Sequence, residues 1–196
     1  MPKIITGGAL NTPDMETHKL PTGTFGFSAT RLDALGATEY TLATVVVDVS
    51  GSVEPYKRDL EGALREIVNA LKLSPRADNL MVRIVGFNTT LYEIHGYKLL
   101  GACNLDDYRD CLSPGGMTAL FDASENAVEA TTVYAKTLSA NDFAVNGIVV
   151  VMTDGADNAS KGYAMDVQKV LQAATKSEAL EFLVFILIGV GMKAEP

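Results

Sequence analysis

Four short stretches of nearly unbroken apolar, mostly β-branched sequence constrain this chain most. They are residues 42–49 (LATVVVDV), 80–87 (LMVRIVGF), 147–152 (GIVVVM) and 182–190 (FLVFILIGV). A strand with one face in water alternates apolar and polar residues, because successive side chains point to opposite faces. These runs barely alternate. Each reads as a strand buried on both faces, the pattern of a parallel sheet covered by helices. Residues 53–73, with Leu60, Leu64, Ile67, Val68 and Leu71 at helical spacing, read as an amphipathic helix. Residues 118–138 and 166–179 read as two more, the first despite the β-branched Thr131, Thr132 and Val133. Residues 91–94 and 97–100 read as a short edge pair around His95-Gly96, and 105–112 as a short helix. Strands alternating with helices predict the α/β class, as a Rossmann-like, doubly wound, mostly parallel sheet with helices on both faces.

Residues 1–21 are rich in Pro, Thr and Gly, lack a period and read as an arm. Residues 22–30 (TGTFGFSAT) read as a strand added to a sheet edge, and 31–39 as a short helix or turn. The expected division is an arm over 1–40 and one domain over 41–196. With 47% hydrophobic residues the chain is too apolar to be disordered. Its net charge of −8 argues against a nucleic-acid partner, which calls for a basic stripe. Surplus carboxylates instead concentrate cations. Cys103 and Cys111 stand eight residues apart, and His18 and His95 are the two histidines. No zinc-ligand spacing results, and the cysteines read as reduced thiols. The first twenty residues do not resemble an export signal, and no apolar run approaches the roughly 20 residues that cross a bilayer. A cytoplasmic chain without membrane contact is the expectation.

In parallel sheets ligands collect at the carboxyl ends of the strands, near a topological switch point. Three loops there carry hard oxygen donors. Asp48-Val49-Ser50-Gly51-Ser52 follows the first buried run, and alternation lets Asp48, Ser50 and Ser52 converge. Pro114-Gly115-Gly116-Met117-Thr118 opens a helix and presents a hydroxyl there. Thr153-Asp154-Gly155-Ala156-Asp157 follows GIVVVM. Two carboxylates and three hydroxyls suit Mg²⁺, Mn²⁺ or Ca²⁺ rather than a thiophilic metal. With so few charges, such a site leaves a divalent ion able to take one more carboxylate. Taken singly, Asp48, Ser52, Thr118 and Asp154 could serve as caps or turn acids. Asp157 reads as a solvated loop acid, Asp122 as a helix-surface acid, Met117 and Met152 as packing residues. His95 is given no role.

DVSGS, GGMTAL and VVMTDG, in this order and on these elements, resemble the von Willebrand factor A (vWA) family with its metal-ion-dependent adhesion site, patterned DxSxS, then Thr, then Asp. The resemblance covers residues 41–191. It implies that Asp48, Ser50, Ser52, Thr118 and Asp154 hold a divalent metal, Mg²⁺ first and Mn²⁺ or Ca²⁺ as alternatives. It implies a binding module rather than an enzyme, with a partner Asp or Glu completing the metal shell. Intracellular relatives act as adaptors, including with AAA+ ATPases. The family pattern continues past residue 190 with one more strand and helix, so the fold is expected without them. The last strand then lies at or near a sheet edge, and three explanations stand: the sequence is trimmed short of the full domain, residues 22–30 cover the edge, or a second subunit adds its own strand in self-association, the first or third being favoured over the second. The enzymatic alternative is a Mg²⁺-dependent phosphatase or phosphotransferase. Asp48 would be its nucleophile, Asp154 and Asp157 would hold the metal, and Thr89 would bind phosphate. Its general acid would fall at Ser50, whose hydroxyl is a poor proton donor at neutral pH.

Overall fold

The computed structural model describes residues 8, 10–21 and 26–191. The expected arm over 1–7 and at 9, the start of the expected strand at 22–25, and the tail at 192–196 lie outside the described residues. Among the described residues the strands are β1 (Met15–Lys19), β2 (Gly26–Thr30), β3 (Glu39–Asp48), β4 (Leu80–Phe87), β5 (Leu91–Leu99), β6 (Ala144–Thr153) and β7 (Leu183–Gly189). The α-helices are α1 (Lys57–Lys72), α2 (Leu120–Ser139) and α3 (Ala164–Thr175). The strands form one sheet in the order β1-β2-β5-β4-β3-β6-β7. Pairing is antiparallel for β1 with β2 and β4 with β5, and parallel elsewhere. This is the mixed, mostly parallel α/β sheet that the apolar runs predict.

Alternation along β3 divides the core. Val45 and Val47 face α1, where Leu60, Leu64 and Val68 meet Val82 and Ile84. Val46 faces the other way, toward Ala123, Ala127 and Val128 of α2 and Val149 and Val151 of β6. Val170, Leu171 and Ala174 of α3 join that second layer. The chain thus leaves β3 for β4 with a helix on one face, and later enters β6 on the other side of β3 with a helix on the opposite face. The carboxyl end of β3 is the switch point.

Several elements differ from expectation for local reasons. The helix expected over 53–73 begins as a 3-10 turn, Gly51–Tyr56, containing Pro55. Proline has no N–H to donate, so it fits this first turn and not the helix interior. The helix expected over 105–112 shrinks to a 3-10 turn, Leu105–Tyr108, and Asp110 adopts the left-handed region at φ 54°, which a helix cannot continue through. Both cysteines are free, as expected, with Cys103 buried. Segments 91–94 and 97–100 are one strand, β5, and it is interior because β2 pairs along its outer side at Ala29–Tyr97. Gly96 allows that approach, since a Cβ there would lie 2.1 Å from the Ser28 carbonyl oxygen. The strand at Gly26–Thr30 therefore sits next to the edge strand β1, at the end of the sheet opposite β7, and does not cover β7. β7 is not buried as expected: Val184, Ile186, Leu187 and Ile188 are exposed. Among the described residues no strand pairs beyond it.

β5 also carries buried polar groups. Arg83 of β4 and Glu93 are both buried and paired at 2.7 Å. His95, expected on an edge, is fully buried. Its Nε2 lies 2.9 Å from the Tyr108 hydroxyl and its Nδ1 2.9 Å from the Gly96 carbonyl. Burial, with Lys98 and Arg83 adding repulsion, holds the His95 pKa down at about 3. The unfolded chain protonates this ring near pH 6.5 and the folded one does not until about pH 3. Folded stability should therefore fall as pH drops through that window and level off below it. His18 is also held low by burial and adds to the same slope. Denaturant midpoints measured from pH 7 to 3 check this, and a His95→Gln variant should show a shallower slope.

Candidate functional site

The register of β3 places the first acid. Asp48 pairs with Phe87 of β4, and Val47 pairs with Met152 of β6, so Thr153 comes alongside Asp48. Asp48 is fully buried. One carboxylate oxygen accepts the Ser50 N–H at 2.8 Å and the other accepts the Thr153 hydroxyl at 2.6 Å. Among the described residues, no Lys or Arg pairs with Asp48 or Asp154. A buried carboxylate without a cation is costly, and two hydrogen bonds offset only part of that cost.

The three expected loops meet here. Between the first and second loops, Gly51 donates to the Gly116 carbonyl at 3.0 Å and Gly115 to the Val49 carbonyl at 2.8 Å. Gly116 sits at φ 78°, and a Cβ there would stand 2.9 Å from the Thr89 hydroxyl, so a larger residue would be strained and crowded. The Thr89 hydroxyl accepts the Met117 N–H at 3.0 Å. Between the second and third loops, Thr118 donates its N–H to the Asn158 side chain at 2.7 Å and accepts the Asn158 N–H at 2.9 Å. Between the first and third, the Ser52 hydroxyl donates to Asp154 at 3.0 Å. The Ser50 and Ser52 hydroxyls lie 3.0 Å apart.

Asp48, Ser50, Ser52 and Asp154 thus form one hydrogen-bonded run, and Thr118 is held beside it through its backbone. Ser50 and Thr118 are buried, Ser52 is exposed and Asp154 half-buried, so the set opens to solvent on the Ser52–Asp154 side. The donor set fits a hard divalent cation. Oxygens bound octahedrally at 2.0–2.1 Å stand about 3 Å from their neighbours. The two spacings through the Ser52 hydroxyl match that edge length. No cluster of three or more His, Cys, Asp or Glu suited to a metal occurs among the described residues. Hydroxyl donors would have to make up the shell.

Other expectations need correction. Asp157 is not simply solvated: it accepts the Phe121 N–H at 3.3 Å and the Ser160 hydroxyl, which commits it to the start of α2. Asp122 is not a surface acid: it is buried and accepts the backbone N–H groups of Lys161 and Gly162 at about 3 Å. Met117 does not pack but is 53% exposed, whereas Met152 is buried as expected. Sequence reasoning passed over Thr153 and Asn158. Thr153 had a signal, a hydroxyl residue just before Asp154 at a strand end; Asn158 had none.

No family model matches the chain. Rhodopsin from Myripristis berndti is 36% identical over 93 residues, 46% of this chain and 26% of that protein. The chain therefore spans about a quarter of the curated relative it matches. No helix among the described residues is long and apolar enough to cross a membrane. Among solved structures, proximal thread matrix protein 1 from the mussel byssus aligns with TM-score 0.53 and 20% identity, over 81% of this chain and 38% of that one. The PilB minor pilin from Streptococcus sanguinis aligns with TM-score 0.51 and 16% identity, over 83% of this chain and 53% of that one. At such identities the likeness is one of fold: a mixed, mostly parallel α/β sheet with helices on both faces.

Proposed function

We propose that this chain is a vWA-type protein-binding module whose strand-end loops hold a divalent cation, Mg²⁺ first and Mn²⁺ or Ca²⁺ as alternatives. The observation that carries the reading is the run Asp48–Ser50–Ser52–Asp154, with at one end a buried carboxylate that pairs with no Lys or Arg among the described residues, and a solvent opening at the other. Ser50, Ser52 and Thr118 supply neutral oxygens, while Asp48 and Asp154 supply the charge. A bound divalent ion offers a Lewis-acidic position to a carboxylate from outside the chain. The hydrogen bonds between the three loops hold the donors in place before any ligand arrives, which limits the ordering entropy of binding. Asp or Glu on a protein partner is the matching group, and an AAA+ ATPase is the partner class the family resemblance implies. The two free cysteines support a cytoplasmic setting. We read the site as binding rather than catalytic because Asp157 is committed to α2 and Ser50 stands where a phosphatase needs its acid.

Mg²⁺ titrated into the chain should bind saturably and raise the unfolding midpoint, and EDTA should reverse both. An immobilised acidic peptide should retain the chain in Mg²⁺ and release it in EDTA. Retention that EDTA leaves unchanged would sink the reading. Mg²⁺-dependent turnover of p-nitrophenyl phosphate, lost in Asp48→Asn, would favour the phosphohydrolase instead.

The open edge of β7 suits self-association as a second partner mode. Its exposed apolar residues, on a strand with no further strand paired to it among the described residues, form a template for another strand. Ile186→Lys should reduce concentration-dependent growth in scattered light. Identical scattering curves for variant and wild type would rule out pairing through this strand.

A further inference from the structure

α1 continues directly from the first loop, and its outer face borders an open cleft of about 420 Å³. The cleft is lined by Arg58, Glu61, Gly62, Arg65, Arg109 and Asp110. The four α1 residues recur at i, i+3, i+4 and i+7, so they share one face of the helix, away from the core-facing Leu60, Leu64 and Val68. Three guanidinium groups therefore line one concavity in a chain whose net charge is −8.

Of the two acids in the lining, Glu61 is engaged, and the Asp110 side chain is 91% exposed, so water and salt screen its charge. Glu61 accepts the Leu112 N–H at 3.2 Å and lies 3.8 Å from the Lys57 ammonium. Asp110 lies 3.5 Å from the same ammonium. Arg109 pairs at 3.1 Å with Asp106, both side chains well exposed, a contact of little strength in water. Arg58 and Arg65 have no ion pair among the described residues. The Arg65 Nε is buried and has no hydrogen-bond partner. An unpaired Nε leaves the Arg65 guanidinium without an anchoring acceptor on the protein side, so its charge is uncompensated by any ion pair among the described residues.

Gly62 adds a second, independent sign. Glycine inside a helix costs about 1 kcal/mol relative to alanine. Close packing does not require it here, because a Cβ at this position would meet nothing within 4 Å. Its missing side chain leaves the space between Arg58 and Arg65 open.

We propose that this cleft binds a phosphate-class oxyanion, either free phosphate or a phosphomonoester group. The planar guanidinium fork pairs two N–H groups with two oxygens of one anion. A phosphoryl group carries enough oxygens to meet three such forks, whereas a carboxylate carries two. Lys57, beside Glu61 and Asp110, adds positive field at the rim. The site is built from α1 and the turn after Tyr108 and uses none of the strand-end oxygens, so it stands or falls separately from the cation site.

The test is calorimetric titration of the full chain with inorganic phosphate and, separately, with O-phosphoserine. Both run in EDTA at fixed ionic strength, with acetate as the control anion. Saturable binding of at least one phosphate probe, tighter than acetate, is expected. Arg65→Gln should weaken it about tenfold, the loss of one charge-assisted pair. Arg65→Lys keeps the charge but not the fork and should fall between. Gly62→Leu should obstruct the cleft and weaken binding with all three arginines intact, which keeps the test decisive if Arg65→Gln fails to fold. Preference for O-phosphoserine assigns the source to a phosphomonoester, and preference for inorganic phosphate to the free ion. No saturation by either probe, acetate binding equally well, or an unchanged Kd in folded Arg65→Gln and Gly62→Leu would overturn the proposal.

Discussion

Asp48→Asn should abolish the stabilisation that Mg²⁺ gives this chain while leaving the metal-free protein nearly as stable as wild type. A ligand that binds only the native state at about 100 times its Kd stabilises by about 2.7 kcal/mol, and the variant should lose all of it. Asparagine keeps an oxygen that can accept the Ser50 N–H, so that bond survives. It loses the acceptor of the Thr153 hydroxyl, but it also removes a buried charge with no cationic partner among the described residues. These two effects oppose each other, and the metal-free variant should stay within about 1 kcal/mol of wild type. Asp48→Ala is the harsher change. It strips the acceptor from the Ser50 N–H, at about 1–3 kcal/mol for a group left unsatisfied, while the Thr153 hydroxyl falls back on the Gly155 carbonyl at 3.3 Å. Unfolding midpoints with Mg²⁺ and with EDTA, on both variants, separate the site's role from its contribution to folding. A full Mg²⁺ shift retained by Asp48→Asn would remove Asp48 from the donor set.

The fold was legible where a residue pattern has one geometric meaning. Apolar runs with no alternation predicted interior strands, and β3, β4 and β6 are buried strands where three of those runs are. Gly96 was harder, because a glycine between two short apolar segments looks like a turn. Its actual reason, the close passage of β2 at Ser28, depends on a strand far earlier in the sequence. β7 misled for a related reason. Composition shows that a strand could be covered on both faces, but not whether a covering element is there. In the site, residues placed by alternation within one loop were readable, as with Asp48, Ser50 and Ser52. Thr153 owes its contact with Asp48 to the pairing of β3 with β6, and Asn158 owes its contact with Thr118 to the path of a loop. Neither is encoded in local spacing.

Glu93→Ala should be among the most damaging single changes in this chain, and a double replacement should repair most of the damage. Arg83 and Glu93 are both buried, and their 2.7 Å contact lies inside the sheet under α2. Glu93 also accepts the Ser28 N–H at 3.1 Å, tying β5 to β2, and Arg83 donates to the Asn126 side chain of α2 at 3.2 Å. Removing the carboxylate leaves the guanidinium charged, because arginine does not release its proton in proteins. Breaking a buried pair from one side costs about 3–5 kcal/mol, a large part of the 5–15 kcal/mol that holds a typical domain together. Replacing both partners with apolar residues of similar volume avoids the stranded charge, and such exchanges elsewhere are neutral or stabilising. Arg83→Met with Glu93→Leu should therefore recover most of the loss, less the bonds to Ser28 and Asn126. Urea unfolding of the two single variants and the double variant closes the cycle. Near-additive losses would mean that each charge is stabilised by its other neighbours, and that the pair is not the unit that secures β2 and α2 to this end of the sheet.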